Sequence, residues 1–496
     1  MSNILSWNAV ALELSRRDHS QGYANGQNSG PTKTSRALAI AHIAIYNAVA
    51  AIERPSAIYM KWGTGTSFGA TPNLSEAIDG AASQALRCLY PRQIQLIDDS
   101  VSSNVGRGSH TGPSSPASVS YEGGKAIGQL VFDKRKTDKS DIPDPSPPGE
   151  EPPYGAHRSD PFDPKQPLLG KHWGQVDRFT GASHQPLNPF PGSGGADSYL
   201  SNAHYRKDYE EVKAKGSKAS GGRLPEEAMI GTYWAYDGAT GIGVPPRLYN
   251  QIIRTVLWDR MKAGKGTLTD FDMALLFAKA NVAMADAGID AWHHKYDTPN
   301  NLWRPVIGIR KERAGHASGS ASDPFWAPLG APQTNKSGTG PRTPPFPAYP
   351  SGHATFGAAL FQILRLHFGG APITVSDVLK AKASDNPDVP FSFVSDELDG
   401  IATDTDGSIR TKLERTFTSF PYAVFENAIS RVYLGVHWRF DGLPADGATG
   451  ADLEIGGVPL GLKVGSEAHD YFNVLTAAPS AKSSAVASKK KRKDGN

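Results

Sequence analysis

Cysteine is nearly absent from this chain of 496 residues: Cys88 stands alone, so no intrachain disulfide can form and a disulfide-stapled scaffold is excluded. Long apolar runs are missing too. The most apolar stretch, 37–52, carries His42, Tyr46 and Asn47 and is too short and too polar to span a bilayer. Asn3, Glu13, Arg16, Arg17 and Asp18 interrupt the first twenty residues, which therefore lack the apolar stretch of a secretory leader. The expectation is a protein without a membrane segment, cytoplasmic by default. Within 81–90, Cys88 reads as a small core residue and not as a nucleophile.

Net charge is equally modest, +3 overall, and the excess is concentrated at one end. Lys482, Lys489, Lys490, Lys491, Arg492 and Lys493 face only Asp494 in residues 481–496, a local +5 that leaves −2 on the rest. A body of that sign is not a nucleic-acid binder by bulk charge. The basic run follows a Ser/Ala-rich stretch and reads as a disordered tail over 479–496.

What the chain has in abundance is glycine (52) and proline (38), in clusters. Residues 139–167 hold nine prolines, and 314–349 is rich in Gly, Ser and Pro. Between them lie stripes of helical period. Leu38, Ala41, Ile45, Val49 and Ile52 follow Thr32 or Thr34 as N-cap. Ile78, Ala82, Ala85 and Leu89 mark a second helix. Met273, Leu276, Ala280, Met284 and Ala287 follow a cap at Asp270 and predict a helix to about Trp292. Two more are expected over 351–368 and 420–435. No alternating run is long enough for a central sheet. The fold class is mainly α, with long Pro/Gly-rich loops. The expected organisation is an N-terminal helical unit (1–138), a linker (139–222), a C-terminal helical bundle carrying the site (223–478) and the tail.

Chemistry-bearing residues gather in the second half. Trp292-His293-His294-Lys295 precedes Trp303-Arg304-Pro305. Then come Pro350-Ser351-Gly352-His353 and Ser430-Arg431-Val432-Tyr433-Leu434-Gly435-Val436-His437-Trp438-Arg439-Phe440-Asp441. Each alone is weak; in combination they suit a tetrahedral oxyanion. Ser351 after Pro350 is an N-cap, so the free first-turn N–H groups offer the positive end of a helix dipole. Gly352 has no side chain to hold an anion away from the backbone. Arg304 and Arg431 supply planar forks and Lys295 a compact charge, cations that repel one another without an anion between them. His437 is the candidate coordinating nitrogen, with Asp441 four residues on to fix its tautomer, and His353 a general acid/base.

The order resembles the superfamily of vanadium-dependent haloperoxidases and type 2 phosphatidic acid phosphatases, whose signature is Lys-x6-Arg-Pro, Pro-Ser-Gly-His and Ser-Arg-x5-His-x3-Asp. The second and third motifs match without gaps; in the first, eight residues separate Lys295 from Arg304. Trp292, the run 344–357, Trp7-Asn8-Ala9-Val10 and Arg36-Ala37-Leu38-Ala39-Ile40 look like the haloperoxidase branch. The resemblance covers most of 5–55 and 270–445. It implies two four-helix bundles and one vanadate per chain, with His437 as the only protein ligand of the metal. Lys295, Arg304, Ser351, Gly352 and Arg431 would hydrogen-bond the oxygens, and His353 would take the proton of hydrogen peroxide. Halide is then oxidised to hypohalous acid, which halogenates a small organic substrate. Phe346, beside Trp292, falls where fungal chloroperoxidases carry Phe and bromoperoxidases carry His, so halide selectivity is assigned there and chloride is favoured.

A soluble phosphatase on the same scaffold is the other enzyme reading: His437 as phosphoryl-accepting nucleophile, His353 protonating the leaving group and Asp441 orienting His437. An oxyanion- or nucleic-acid-associated protein centred on the basic tail is the non-enzymatic one, and no nucleic-acid partner is expected. His293-His294 lacks a third metal ligand, and Asp396, Glu397, Asp399, Asp404 and Asp406 lack the register of a calcium loop. Long loops and open helix faces are compatible with a homodimer.

Overall fold

A computed structural model describes residues 2–20, 26–59, 66–105, 118–145, 152–193, 202–219, 221–297, 299–311, 322–337, 340–388 and 390–477. The basic tail and its expected disorder lie outside the described residues. Helices dominate: α1 (Asn3–Asp18), α2 (Pro31–Glu53), α3 (Leu74–Leu89), α4 (Ile94–Val105), α5 (Val119–Lys134), α6 (Ala203–Lys215), α7 (Pro225–Tyr233), α8 (Pro245–Lys262), α9 (Asp270–Lys295), α10 (Pro305–Lys311), α11 (Gly352–His367), α12 (Val375–Lys380), α13 (Phe420–Tyr433), α14 (Arg439–Gly442) and α15 (Gly457–Thr476). The described strands are β1 (Phe391–Val394) and β2 (Glu414–Phe417), an antiparallel pair with Phe391 opposite Phe417.

Two helical groups result. In the first, α2 and α5 pack on α3; in the second, α11 packs on α9, α13 and α15. Close approach has a visible cause. A Cβ on Gly124 of α5 would lie 2.1 Å from the Ala77 carbonyl of α3, and one on Gly461 of α15 would lie 2.2 Å from the Thr355 carbonyl of α11. Only glycine lets these backbones touch. The groups meet where α2 lies along α9, and one continuous apolar core runs from Ile4 to Phe472. The α2 helix is long and apolar enough to cross a membrane, yet 89% of its apolar window is buried inside the protein. Burial on all sides, rather than a lipid contact, accounts for its composition.

Local chemistry moves several expected boundaries. The cap of α9 is Thr269, whose hydroxyl accepts from the Asp272 N–H at 3.1 Å, and Asp270 is the first helical residue. The α2 helix starts at Pro31 after Gly30, so Thr32 and Thr34 lie inside its first turn; the Thr34 hydroxyl donates back to the Asn28 carbonyl. Cys88 is only half-buried, its thiol 3.3 Å from the Gln129 carboxamide oxygen, so the expected core position is corrected to the edge of the α3–α5 contact.

The Pro-rich segment packs against the second helical group instead of hanging between units. Trp303 N–H donates to the Gly155 carbonyl, His157 N–H to the Asn301 carbonyl, and Leu169 N–H to the Pro345 carbonyl. These bonds lay residues 155–169 across the loops that carry Arg304 and Phe346.

Candidate active site

Four chain segments converge. Pro350 ends the Pro-rich loop, and the Ser351 hydroxyl caps α11 by accepting from Ala354 N–H at 3.4 Å. The Ser351 N–H donates to the Asp441 carbonyl at 2.7 Å, which ties the start of α11 to the chain after α13. Arg431 sits in the last turn of α13. The chain then reverses at Gly435 (φ +70°), where a Cβ would strike the Gly216 carbonyl at 2.4 Å, and returns His437 towards the α11 N-terminus. Arg304 immediately precedes Pro305, the first residue of α10, and Lys295 is the last residue of α9.

At the centre is His437, 3% exposed. Its Nδ1 lies 2.8 Å from Asp441 Oδ2 and its Nε2 2.9 Å from Arg304 Nη1. A guanidinium can only donate, so Nε2 is the acceptor and Nδ1 carries the proton given to Asp441. Burial, then Arg304, Lys295 and Arg431, hold the His437 pKa well below its ordinary value. The ring is therefore the neutral tautomer with its lone pair on Nε2, the form that ligates a metal. Burial pushes the Asp441 carboxyl up to about 8 against the pull of Arg304 and Lys295.

The cations differ in what they leave free. Arg304 also donates to the Phe346 and Val436 carbonyls at 2.9 Å each, and its Nη2 has no partner among the described residues. Burial lowers its pKa to about 9. Arg431 gives Nη2 to Asp237 Oδ1 and Oδ2 at 2.6 and 2.8 Å, while its buried Nε and Nη1 have no partner among the described residues. Lys295 is different. Its Nζ donates to the Pro347 carbonyl at 2.8 Å, to Ala348 at 3.1 Å and to Pro350. All three N–H bonds are directed at loop carbonyls in this structure. Lys295 pins the segment that ends in Ser351, while burial and then Arg304 hold its pKa well below the ordinary lysine value.

His353 is 6% exposed, and neither ring nitrogen makes a hydrogen bond of ordinary geometry among the described residues. Burial and Arg431 drive its pKa well down, opposed by Asn427 and the Trp234 backbone. Its carbonyl accepts from the Tyr249 hydroxyl at 2.9 Å, which fixes the first turn of α11.

A cavity of about 270 Å³ opens onto Gly352, His353, Arg431 and His437. Phe346 and Trp292 line it, their ring centres 4.7 Å apart. The Phe346 face carries Lys295 Nζ at 5.0 Å and the Arg304 guanidinium at 4.9 Å, a cation–π contact with both. Gly352 has a second reason to be glycine: a Cβ there would lie 2.7 Å from Trp292 Cζ3. The two other signals discounted from sequence have structural partners. His293 stacks on His184, and His294 Nε2 meets the Gln185 carbonyl. Asp396 pairs with Arg247, while Glu397 and Asp404 pair with Arg410. No group of three metal-ligating side chains occurs among the described residues.

Buried N–H groups of two arginines without acceptors, beside a neutral imidazole whose Nε2 faces Arg304 Nη1, make a strongly electropositive pocket. A tetrahedral metal oxyanion fits that donor set: charge for the arginines, hydrogen-bond acceptors for their orphaned N–H groups, and a metal for Nε2. The relatives decide which. Residues 1–139 match the vanadium chloroperoxidase N-terminal domain, and residues 275–472 the vanadium chloroperoxidase second helical-bundle domain. The vanadium chloroperoxidase of Curvularia inaequalis is 33% identical over 89% of this chain and 79% of its own. The chain belongs to the vanadium haloperoxidase family. Its cofactor is vanadate. Among solved structures, a bacterial vanadium-dependent iodoperoxidase shares the fold at TM-score 0.65 and 21% identity, over 95% of this chain and 96% of its own. A bacterial vanadium-dependent chloroperoxidase does so at 0.57 and 15%, over 90% and 94%.

Two features of this haloperoxidase site have no motif. Asp237 neutralises Arg431 from a turn where Tyr236 takes φ +43°, an uncommon conformation for an aromatic residue; the Tyr236 ring is buried, with its hydroxyl bonded to Gln251 and to Asp396 N–H. Charge arithmetic asks for a carboxylate beside Arg431, but no spacing points to residue 237. The far wall comes from the N-terminal group, through Gly30 and Pro31.

Proposed function

We propose that this haloperoxidase oxidises chloride or bromide with hydrogen peroxide to hypohalous acid, which halogenates small organic molecules. The observation carrying this reading is the neutral His437, tied through Nδ1 to Asp441, beside the unpartnered N–H groups of Arg304 and Arg431. His437 would hold the metal through Nε2. Arg304, Arg431, Ser351 and the Gly352 N–H would hold its oxygens, and Lys295 would add charge from behind. Bound vanadate supplies Lewis-acid activation of peroxide at constant oxidation state. His353, neutral and facing the cavity, would take the proton of incoming peroxide and later return one to the product. Asp441 keeps the proton of His437 on Nδ1, so the ligating lone pair stays on Nε2. Phe346 and Trp292 close the site with apolar surface that strips water from the halide, and Phe346 supports chloride as a substrate.

The test is reconstitution. Protein dialysed free of vanadate and phosphate is assayed with peroxide, bromide or chloride and a phenol dye, with and without orthovanadate. Halogenation that appears only with vanadate is the expected result. Phosphomonoester hydrolysis inhibited by vanadate, with no halogenation, would overturn the reading in favour of a phosphatase.

A further inference from the structure

Beside the oxyanion pocket, the same cavity carries a cation that the haloperoxidase chemistry leaves unused. Arg342 is half-buried and lines both this cavity and a smaller polar one of about 60 Å³ next to it. Its guanidinium makes no hydrogen bond or ion pair among the described residues. The backbone around it is firmly held. The Arg342 carbonyl accepts from Ala331 N–H at 2.8 Å, and Thr343 gives its N–H and hydroxyl to Asp160 Oδ2 at 2.7 and 2.9 Å. Gly330, at φ +86°, lets the segment of Pro341 and Arg342 approach, since a Cβ there would lie 2.8 Å from Arg342 N. The result is a held backbone with a head group that has no partner among the described residues.

The surroundings say what that head group can bind. The Asp237 carboxylate lines both cavities, but it is engaged by Arg431. The ring nitrogens of His19 are taken by the Ser15 carbonyl and Gly30 N–H. The remaining wall is apolar and largely planar, with Pro31, Pro167, Leu169, Pro345, Phe346 and Trp292. A volume of about 270 Å³ lies at the small end of ligand pockets, suited to a single ring.

We propose that Arg342 anchors an anionic aromatic substrate, an arene carboxylate, by a paired hydrogen bond to its carboxylate, with the ring held against the proline and aromatic wall of the halogenation cavity. The fork geometry of guanidinium suits a carboxylate in two-point contact, and partial burial strengthens it. The inference rests on reading the cavity as a halogenation site, so its test separates binding from turnover.

Benzoate and its neutral analogue benzamide are titrated into the vanadate-loaded protein, followed by calorimetry and by fluorescence of the cavity tryptophan. Benzoate is expected to bind at least about tenfold more tightly than benzamide, the scale of one charge-assisted hydrogen bond, and R342Q to erase that difference. R342K, which keeps the charge without the fork, is expected to fall between. In turnover, the preference for 4-hydroxybenzoate over phenol, read as a ratio of kcat/KM, should fall towards one in R342Q. Equal binding of benzoate and benzamide, unchanged benzoate binding in R342Q and R342K, or benzoate that binds only when vanadate is absent would each overturn the proposal. Arg342-dependent benzoate binding in a protein that never halogenates would sink the haloperoxidase reading and leave the anchor intact.

Discussion

Replacing Asp441 by alanine removes the acceptor that holds the His437 proton on Nδ1. Asp441 Oδ2 receives both His437 Nδ1–H at 2.8 Å and Trp438 N–H at 2.9 Å, so the truncation frees the ring and orphans a buried amide together. The tautomer is then set only by Arg304 Nη1 at Nε2, the contact that a vanadium ligand would have to replace. Loss of such a supporting carboxylate typically costs about 10–100-fold in metal affinity, or about 1.4–2.7 kcal/mol. Asp441→Asn keeps a carbonyl oxygen at the same place to accept the His437 Nδ1 proton. It should therefore lose less than about tenfold. Vanadate affinity is read by equilibrium dialysis of the apoprotein against orthovanadate, with thermal unfolding of each variant to show that the fold persists. If D441A binds vanadate as tightly as the parent, or D441N is as impaired as D441A, then tautomer control by Asp441 is wrong.

Gly352→Ala should destabilise by about 1–3 kcal/mol through overpacking against Trp292, and Trp292→Phe in the same chain should recover part of it; a double-mutant cycle with no coupling would contradict the packing argument. Asp208 is buried, accepts from Phe440 N–H at 2.7 Å, and is raised by burial from 3.8 to about 7. A raised carboxyl favours folding while protonated, and this contribution fades as pH rises from about 4 through 7, so Asp208→Asn should gain stability relative to the parent across that window, by up to about 4 kcal/mol. Denaturant unfolding at pH 4 and pH 8 checks this, and a constant difference would refute it. Phe346→His should raise the bromide-to-chloride rate ratio, because a polar ring replaces the apolar face beneath Lys295 and Arg304; an unchanged or lower ratio would remove Phe346 from halide selection.

Much of the site was legible because its residues lie in short, local patterns. Pro350–His353 is a helix start, and His437 meets Asp441 because the Asp441 carboxyl, in the first turn of α14, folds back over the extended residue Trp438 that caps that helix. The helical period of 273–287 and 38–52 was readable for the same reason. Long-range partners were not. Asp237 reaches Arg431 from 194 positions away in the chain, Pro31 enters the cavity from the first helical group, and Arg342 sits in a loop whose composition says only Gly, Ser and Pro. The contacts of Lys295 are another long-range detail: three carbonyls of the neighbouring loop take its donors.

On the proposed reading, His437 Nε2 ligates a vanadium oxyanion caged by Arg304 and Arg431. Anomalous diffraction at the vanadium edge from crystals soaked in orthovanadate tests it directly. One vanadium per chain bonded to His437 Nε2, with its oxygens on the unpartnered N–H groups of both arginines, is the expected result. Vanadium bound elsewhere, or an imidazole left uncoordinated at saturating orthovanadate, would contradict it.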